Sequence, residues 1–77
     1  MDYTGTVYDR KNFKTNLGHI RAIKRISQSK LAELSDVNLR MIQYYEQGMK
    51  DINKAQAMTL YKIAQVLECT IEDLLEK

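Results

Sequence analysis

Proline and tryptophan are absent from this 77-residue chain, and cysteine, histidine and phenylalanine occur once each. The single cysteine, Cys69, excludes an internal disulfide and any metal centre built on several thiolates, and it fits a reducing, cytoplasmic setting. The lone His19 has no second histidine or nearby cysteine, so it reads as a surface imidazole rather than a metal ligand. With no proline and only three glycines, little interrupts a helix and a sheet of tight turns is disfavoured. No apolar run approaches the ~18 residues of a membrane span, and no charged-then-apolar leader opens the chain. A Ser-His-Asp set, a phosphate-cradling glycine loop and a metal cluster are likewise missing. Glu72, Asp73 and Glu76 follow Thr70 on a short terminal segment, which is the pattern of an acidic helix start rather than a catalytic carboxylate pair. The expectation is therefore a non-enzyme without catalytic residues, cofactor, metal, membrane partner or evident small-molecule ligand.

What remains is ordinary globular composition, 44% hydrophobic and 29% charged. A chain this short buries only about 60% of the surface it exposes when unfolded, so its core is thin and self-association would help it. The net charge of +2 does not by itself announce a polyanion partner. The distribution says more: Arg10, Lys11, Lys14, Arg21, Lys24, Arg25 and Lys30 follow one another with no acid between them, while Glu68, Glu72, Asp73 and Glu76 crowd the other end. A basic pole and an acidic pole orient a molecule against a polyanion even when the total is small.

Five helices are expected, with no internal repeat. The opening MDYTGTVYD is β-leaning around Gly5 and reads as an arm or short strand over residues 1–9, ahead of a single domain over residues 10–77. An arm reaching into a minor groove is disfavoured, because no Arg or Lys precedes Arg10. Asp9 is the candidate cap of helix one, on which Phe13, Leu17 and Ile20 recur at helical spacing through about Lys24. Ser27 caps a brief helix two, QSKLAELS; Asp36 tolerates the left-handed backbone of a tight turn; and Asn38 caps helix three, which runs to Gln47 and stops at Gly48. Asn53 with Gln56 has the spacing of a capping box opening helix four, and Thr70 with Asp73 repeats it for helix five.

Two short helices joined by a three-residue turn form the arrangement in which one helix braces another as it enters a DNA major groove. Helix three carries adjacent tyrosines in VNLRMIQYYEQG. At ~100° per residue Tyr45 lies about 60° from Ile42, and Tyr44 about 160° away. Tyr45 therefore joins Ile42 as a core anchor, and Tyr44 faces outward with Arg40, Met41 and Gln47, flanked by Leu39 and Gln43. Arginine, amide and apolar tips are what base edges require.

The run ISQSKLAELSDVNLRMIQYYEQG resembles, without gaps, the helix-turn-helix of the lambdoid phage repressor and Cro family, also called the XRE family. The resemblance extends from Leu17 to the IAQVLECTIEDLLE segment, and INKAQA is similar to one branch of that family. It implies an all-α, five-helix, lambda-repressor-like DNA-binding domain whose helix-turn-helix is helices two and three. It further implies base reading by Leu39, Arg40, Gln43 and Tyr44. Phosphate contacts would come from Ser27, Gln28, Asn38, Lys50 and Lys54, and Arg21 would pair structurally with Glu46. The sequence departs from the family pattern at Arg25, Asp36 and Glu68, which stand where turn glycines are usual, and at Leu34, which replaces a polar residue. The loop beyond Gly48 is also longer by about three residues and lacks a proline.

The resulting expectation is a cytoplasmic, sequence-specific transcriptional regulator, a repressor, binding double-stranded operator DNA as a homodimer whose contact includes Leu74 and Leu75. Two other readings compete: an antitoxin-type autoregulator of a toxin-antitoxin pair, which would carry a small protein partner, and a helical protein-interaction module that has lost DNA binding. Absence of any duplex binding at low salt would favour the latter.

Overall fold

A computed structural model describes residues 13–76; Asp9 and the segment read as an arm or strand lie outside the described residues. Within them are five α-helices, α1 (Asn16–Ile23), α2 (Gln28–Ser35), α3 (Leu39–Gln47), α4 (Ala57–Leu67) and α5 (Ile71–Leu74), with a 3-10 turn at Ile52–Lys54 and no strand. The all-α reading and the count of five helices hold for this described part.

Two expected helix starts are corrected. Phe13 does not belong to α1: the helix begins after Thr15, whose extended backbone and side-chain oxygen, accepting from the Gly18 N–H at 3.3 Å, make it the cap. Phe13 instead lies before the cap and stacks on the His19 ring, with centroids 5.8 Å apart. The Asn53–Gln56 capping box does not form either. Asn53 sits in the 3-10 turn capped by Asp51, and α4 starts after Gln56, which makes no side-chain cap bond. Local spacing misled here because the Asn53 side chain is taken by the backbone of Glu76.

The other caps follow the local chemistry. Ser27 accepts from the Lys30 N–H, Asn38 from the Arg40 N–H, and Thr70 from the Asp73 N–H while Asp73 accepts in return from the Thr70 N–H. That return bond, together with the Thr70 hydroxyl, holds the Asp73 carboxyl below the usual carboxylate range. Because the folded state lowers this pKa, its contribution is present above the unfolded value of about 4 and disappears as pH falls through the folded one. Asp73→Ala is thus expected to lower the melting temperature at neutral pH, with the gap from the wild type narrowing through the acid range in a pH series of thermal melts.

Four helices end in the same way. A residue with left-handed backbone follows α1, α2, α3 and α4, namely Arg25 (φ 61°), Asp36 (φ 61°), Gly48 (φ 76°) and Glu68 (φ 57°). The next residue then donates its N–H back across the last turn: Ile26 to Arg21, Val37 to Ala32, Met49 to Tyr44 and Cys69 to Ala64, at 2.8–3.3 Å. Three of these turns keep a left-handed residue without the glycine that would adopt it cheaply, a conformation that disfavours side chains by roughly 1–2 kcal/mol. Ile26, Val37 and Cys69, the residues that follow, pack on the core and hold the turns in place.

Every helix contributes to that core. Leu17, Leu31, Ile42, Ile63, Leu67 and Leu74 are fully buried, with Tyr45, Ile52, Leu60 and Ala64 nearly so. Burial of each large apolar side chain contributes about 1.5–3 kcal/mol, so α5, only four residues long, is retained by Leu74 rather than by its own helical stability. The dimer contact expected at Leu74 and Leu75 is corrected for Leu74, which has no exposed surface to offer a second copy; Leu75 is partly buried against the same core.

One contact joins the acidic end of the chain to the basic segment, of which Arg10 and Lys11 lie outside the described residues. The turn at Glu68 comes against the end of α1, where the Lys24 Nζ lies 3.4 Å from a Glu68 carboxylate oxygen, and the Glu76 carboxylate accepts from the Asn16 N–H at the start of α1 at 2.5 Å. The exposed Lys24–Glu68 pair contributes little stability.

Candidate nucleic-acid interface

Asp36, with left-handed backbone, turns the chain between α2 and α3, and Asn38 starts α3 through its bond to Arg40. Ile42 at 0% exposure and Tyr45 at 5% fix the inner face of α3. Tyr44, Leu39 and Gln43 are half-buried on its other sides, while Arg40 and Gln47 are exposed. Met41 departs from the expected outward position. It packs in part against the core, at the rim of a shallow depression that it shares with Asn38, Leu39, Arg40 and Gln43.

A polar knot fastens α3 from behind. Arg21 on α1 directs Nε to Glu46 Oε2 at 2.5 Å and Nη2 to Oε1 at 3.0 Å, and its Nη1 donates to the Ile26 carbonyl at 2.7 Å. Gln28, at the first position of α2, donates its amide to the same Glu46 Oε1 at 3.0 Å. The Thr15 hydroxyl adds a 3.3 Å bond to the Glu46 backbone carbonyl. One carboxylate thereby ties α1 and α2 to the outer helix, through a two-pronged arginine that fixes direction as well as distance. Thr15, buried and polar, has no sequence signal for this second bond beyond its suitability as a cap.

The side chains divide into those engaged within the fold and those left for a partner. Gln28 is engaged through its side-chain amide, and its backbone N–H, at the first position of α2, has no acceptor within the helix. Ser27 and Asn38 use an oxygen for capping, leaving the Ser27 hydroxyl hydrogen and the Asn38 amide hydrogens to donate. Among the described residues the side chains of Arg40, Gln43, Tyr44, Lys50 and Lys54 make no hydrogen bond or ion pair, and Arg40, Lys50 and Lys54 are exposed. The face therefore joins an open helix start, where partial positive charge collects, to free donors on the next helix. Lys50 precedes the 3-10 turn after α3, and Lys54 is the last residue of that turn.

Among the described residues no group of three or more His, Cys, Asp or Glu side chains is placed to hold a metal ion, and no helix is long and apolar enough to cross a membrane. Burial pushes the Cys69 thiol up, Asp73 raises it further and Lys24 partly offsets both, which disfavours the reactive thiolate.

A helix-turn-helix family model matches residues 19–74, well over half of the chain. A comparison with curated proteins returns no match.

Proposed function

Since the chain belongs to the XRE-type helix-turn-helix family of DNA-binding transcription regulators, we propose that it represses transcription by binding, as a homodimer, an operator with two half-sites. In this reading α3 lies in the major groove. Leu39, Arg40, Gln43 and Tyr44 meet base edges, Arg40 as the donor suited to guanine, and Leu39 and Tyr44 as apolar contacts for a thymine methyl. The Ser27 hydroxyl, the Gln28 backbone N–H, the Asn38 amide, Lys50 and Lys54 grip phosphates and set the register. Arg21 and Glu46 touch no DNA and hold α3 at its angle. Two copies with half-sites about 34 Å apart present both reading helices to one face of the duplex. Repression follows from occlusion of polymerase.

The observation that carries this reading is the free donor face of α3 mounted on an internally satisfied knot: the groups suited to bases have no hydrogen-bond or ion-pair partner among the described residues, and the group that orients the helix has three. Selection of bound duplexes from a random pool tests it, with two related half-sites as the expected outcome. On the selected duplex Arg40→Ala is expected to cost about 1–3 kcal/mol and to relax preference at one base pair. Equal weakening on every sequence would make Arg40 a phosphate contact instead.

A further inference from the structure

The end of the described chain is bound to the loop that carries the two phosphate-facing lysines. Asn53, in the 3-10 turn Ile52–Lys54, accepts from the Glu76 N–H at 2.8 Å and donates to the Glu76 carbonyl at 2.6 Å. Its side-chain amide pairs with the N–H and carbonyl of that one residue as a neighbouring strand would, through two bonds that fix orientation. The other side of the same segment is held by Asn16 at the start of α1, whose amide donates to the Leu75 carbonyl at 2.7 Å and whose N–H donates to the Glu76 carboxylate at 2.5 Å. Below it Leu74 and Ile52 are buried together in the core cluster.

We propose that residues 75–76 form a strap that positions the loop after α3, and that Asn53 and Asn16 are positioning residues for DNA binding through Lys50 and Lys54. The proposal rests on the phosphate role assigned to those lysines. The physical reason is the length of the loop. Between Gly48 and α4, Ile52 is the single deeply buried side chain, and one apolar anchor leaves a loop free to pivot. The two bonds at Asn53 add a second fixed point between Lys50 and Lys54 and leave both ammonium groups exposed. A loop held at two points presents its lysines without an ordering cost at the moment of binding.

The test is the dependence of affinity on salt, because counterion release counts phosphate contacts whereas partial unfolding only lowers the active fraction. Lys50→Ala with Lys54→Ala is expected to reduce the slope of log affinity against log salt by about two, one for each lysine. Asn53→Ala should reduce it by about one while leaving sequence ranking unchanged, and should have no further effect on the slope in the double-lysine variant. Asn16→Ala, which alters the strap without touching the loop, should move the slope in the same direction. If the lysine variant keeps the full slope, the phosphate reading fails and the strap with it. If the lysines matter while Asn53→Ala and Asn16→Ala keep the wild-type slope, or if Asn53→Ala acts equally without the lysines, the strap is overturned and the phosphate reading stands.

Discussion

Glu46→Ala is expected to destabilise the domain by about 3–5 kcal/mol, the cost of removing one partner from a buried ion pair. The side chains of Arg21 and Glu46 keep only 18% and 8% of their surface exposed, so the guanidinium would lose its counter-charge with little water to replace it. Gln28 would lose its acceptor as well, and only the Ile26 carbonyl would still receive a bond from Arg21. Small domains are stable by about 5–15 kcal/mol in total, so the variant should melt far below the wild type or be unfolded at room temperature. Glu46→Gln, which keeps an oxygen acceptor, should lose less. The paired replacement of Arg21→Met with Glu46→Leu exchanges the ions for apolar bulk and should recover stability. Denaturant unfolding of the wild type, the single replacements Arg21→Met and Glu46→Leu, and the pair forms a cycle that separates the pair from the cost of orphaning one member. If the paired replacement is also folded but binds its duplex poorly, the knot sets the angle of α3 rather than the stability of the domain.

The contrast between this knot and the strap shows what the sequence makes legible. Arg21, Gln28 and Glu46 lie within the stretch that resembles the family, and the resemblance implied the pairing of Arg21 with Glu46. Ile42 and Tyr45 were separated from Tyr44 by helical angle alone, and burial agrees. The left-handed residues at Arg25, Asp36 and Glu68 were visible as departures from turn glycines, and all three have positive φ. Misreadings arose where a side chain has a partner distant in sequence. Asn53 has the spacing of a local cap, yet its bonds go to Glu76, 23 residues away, and no periodicity encodes such a choice. Leu74 looked free for a second copy because a four-residue helix carries too little pattern to distinguish a face turned inward from one turned outward. The contact of Lys24 with Glu68 was hidden for a related reason: the turn before α5 comes beside the end of α1, and linear distance between charges says nothing about that neighbour.

Tyr45→Ala is expected to cost about 3–5 kcal/mol, as loss of a buried aromatic ring does through both transfer to water and the cavity left behind. Tyr45 is 5% exposed and belongs to the same buried cluster as Ile42, Leu31 and Leu17, so removal of its ring opens the junction where α3 meets α1 and α2. Relaxation can recover little: the ends of α3 are set by the Asn38 cap and the turn at Gly48, and Glu46 is pinned from the other side by Arg21. The loss should appear in thermal or denaturant unfolding, and binding should fall because the folded fraction falls. Tyr44→Ala is the control. Its side chain is only partly buried and makes no hydrogen bond or ion pair among the described residues, so the melt should change little while affinity for the selected duplex drops and one position loses its preference. The two neighbouring substitutions thus separate stability from recognition on a single helix. A folded Tyr45→Ala protein with an altered base preference, beside a Tyr44→Ala protein that melts early, would exchange the two roles and turn α3 about its axis.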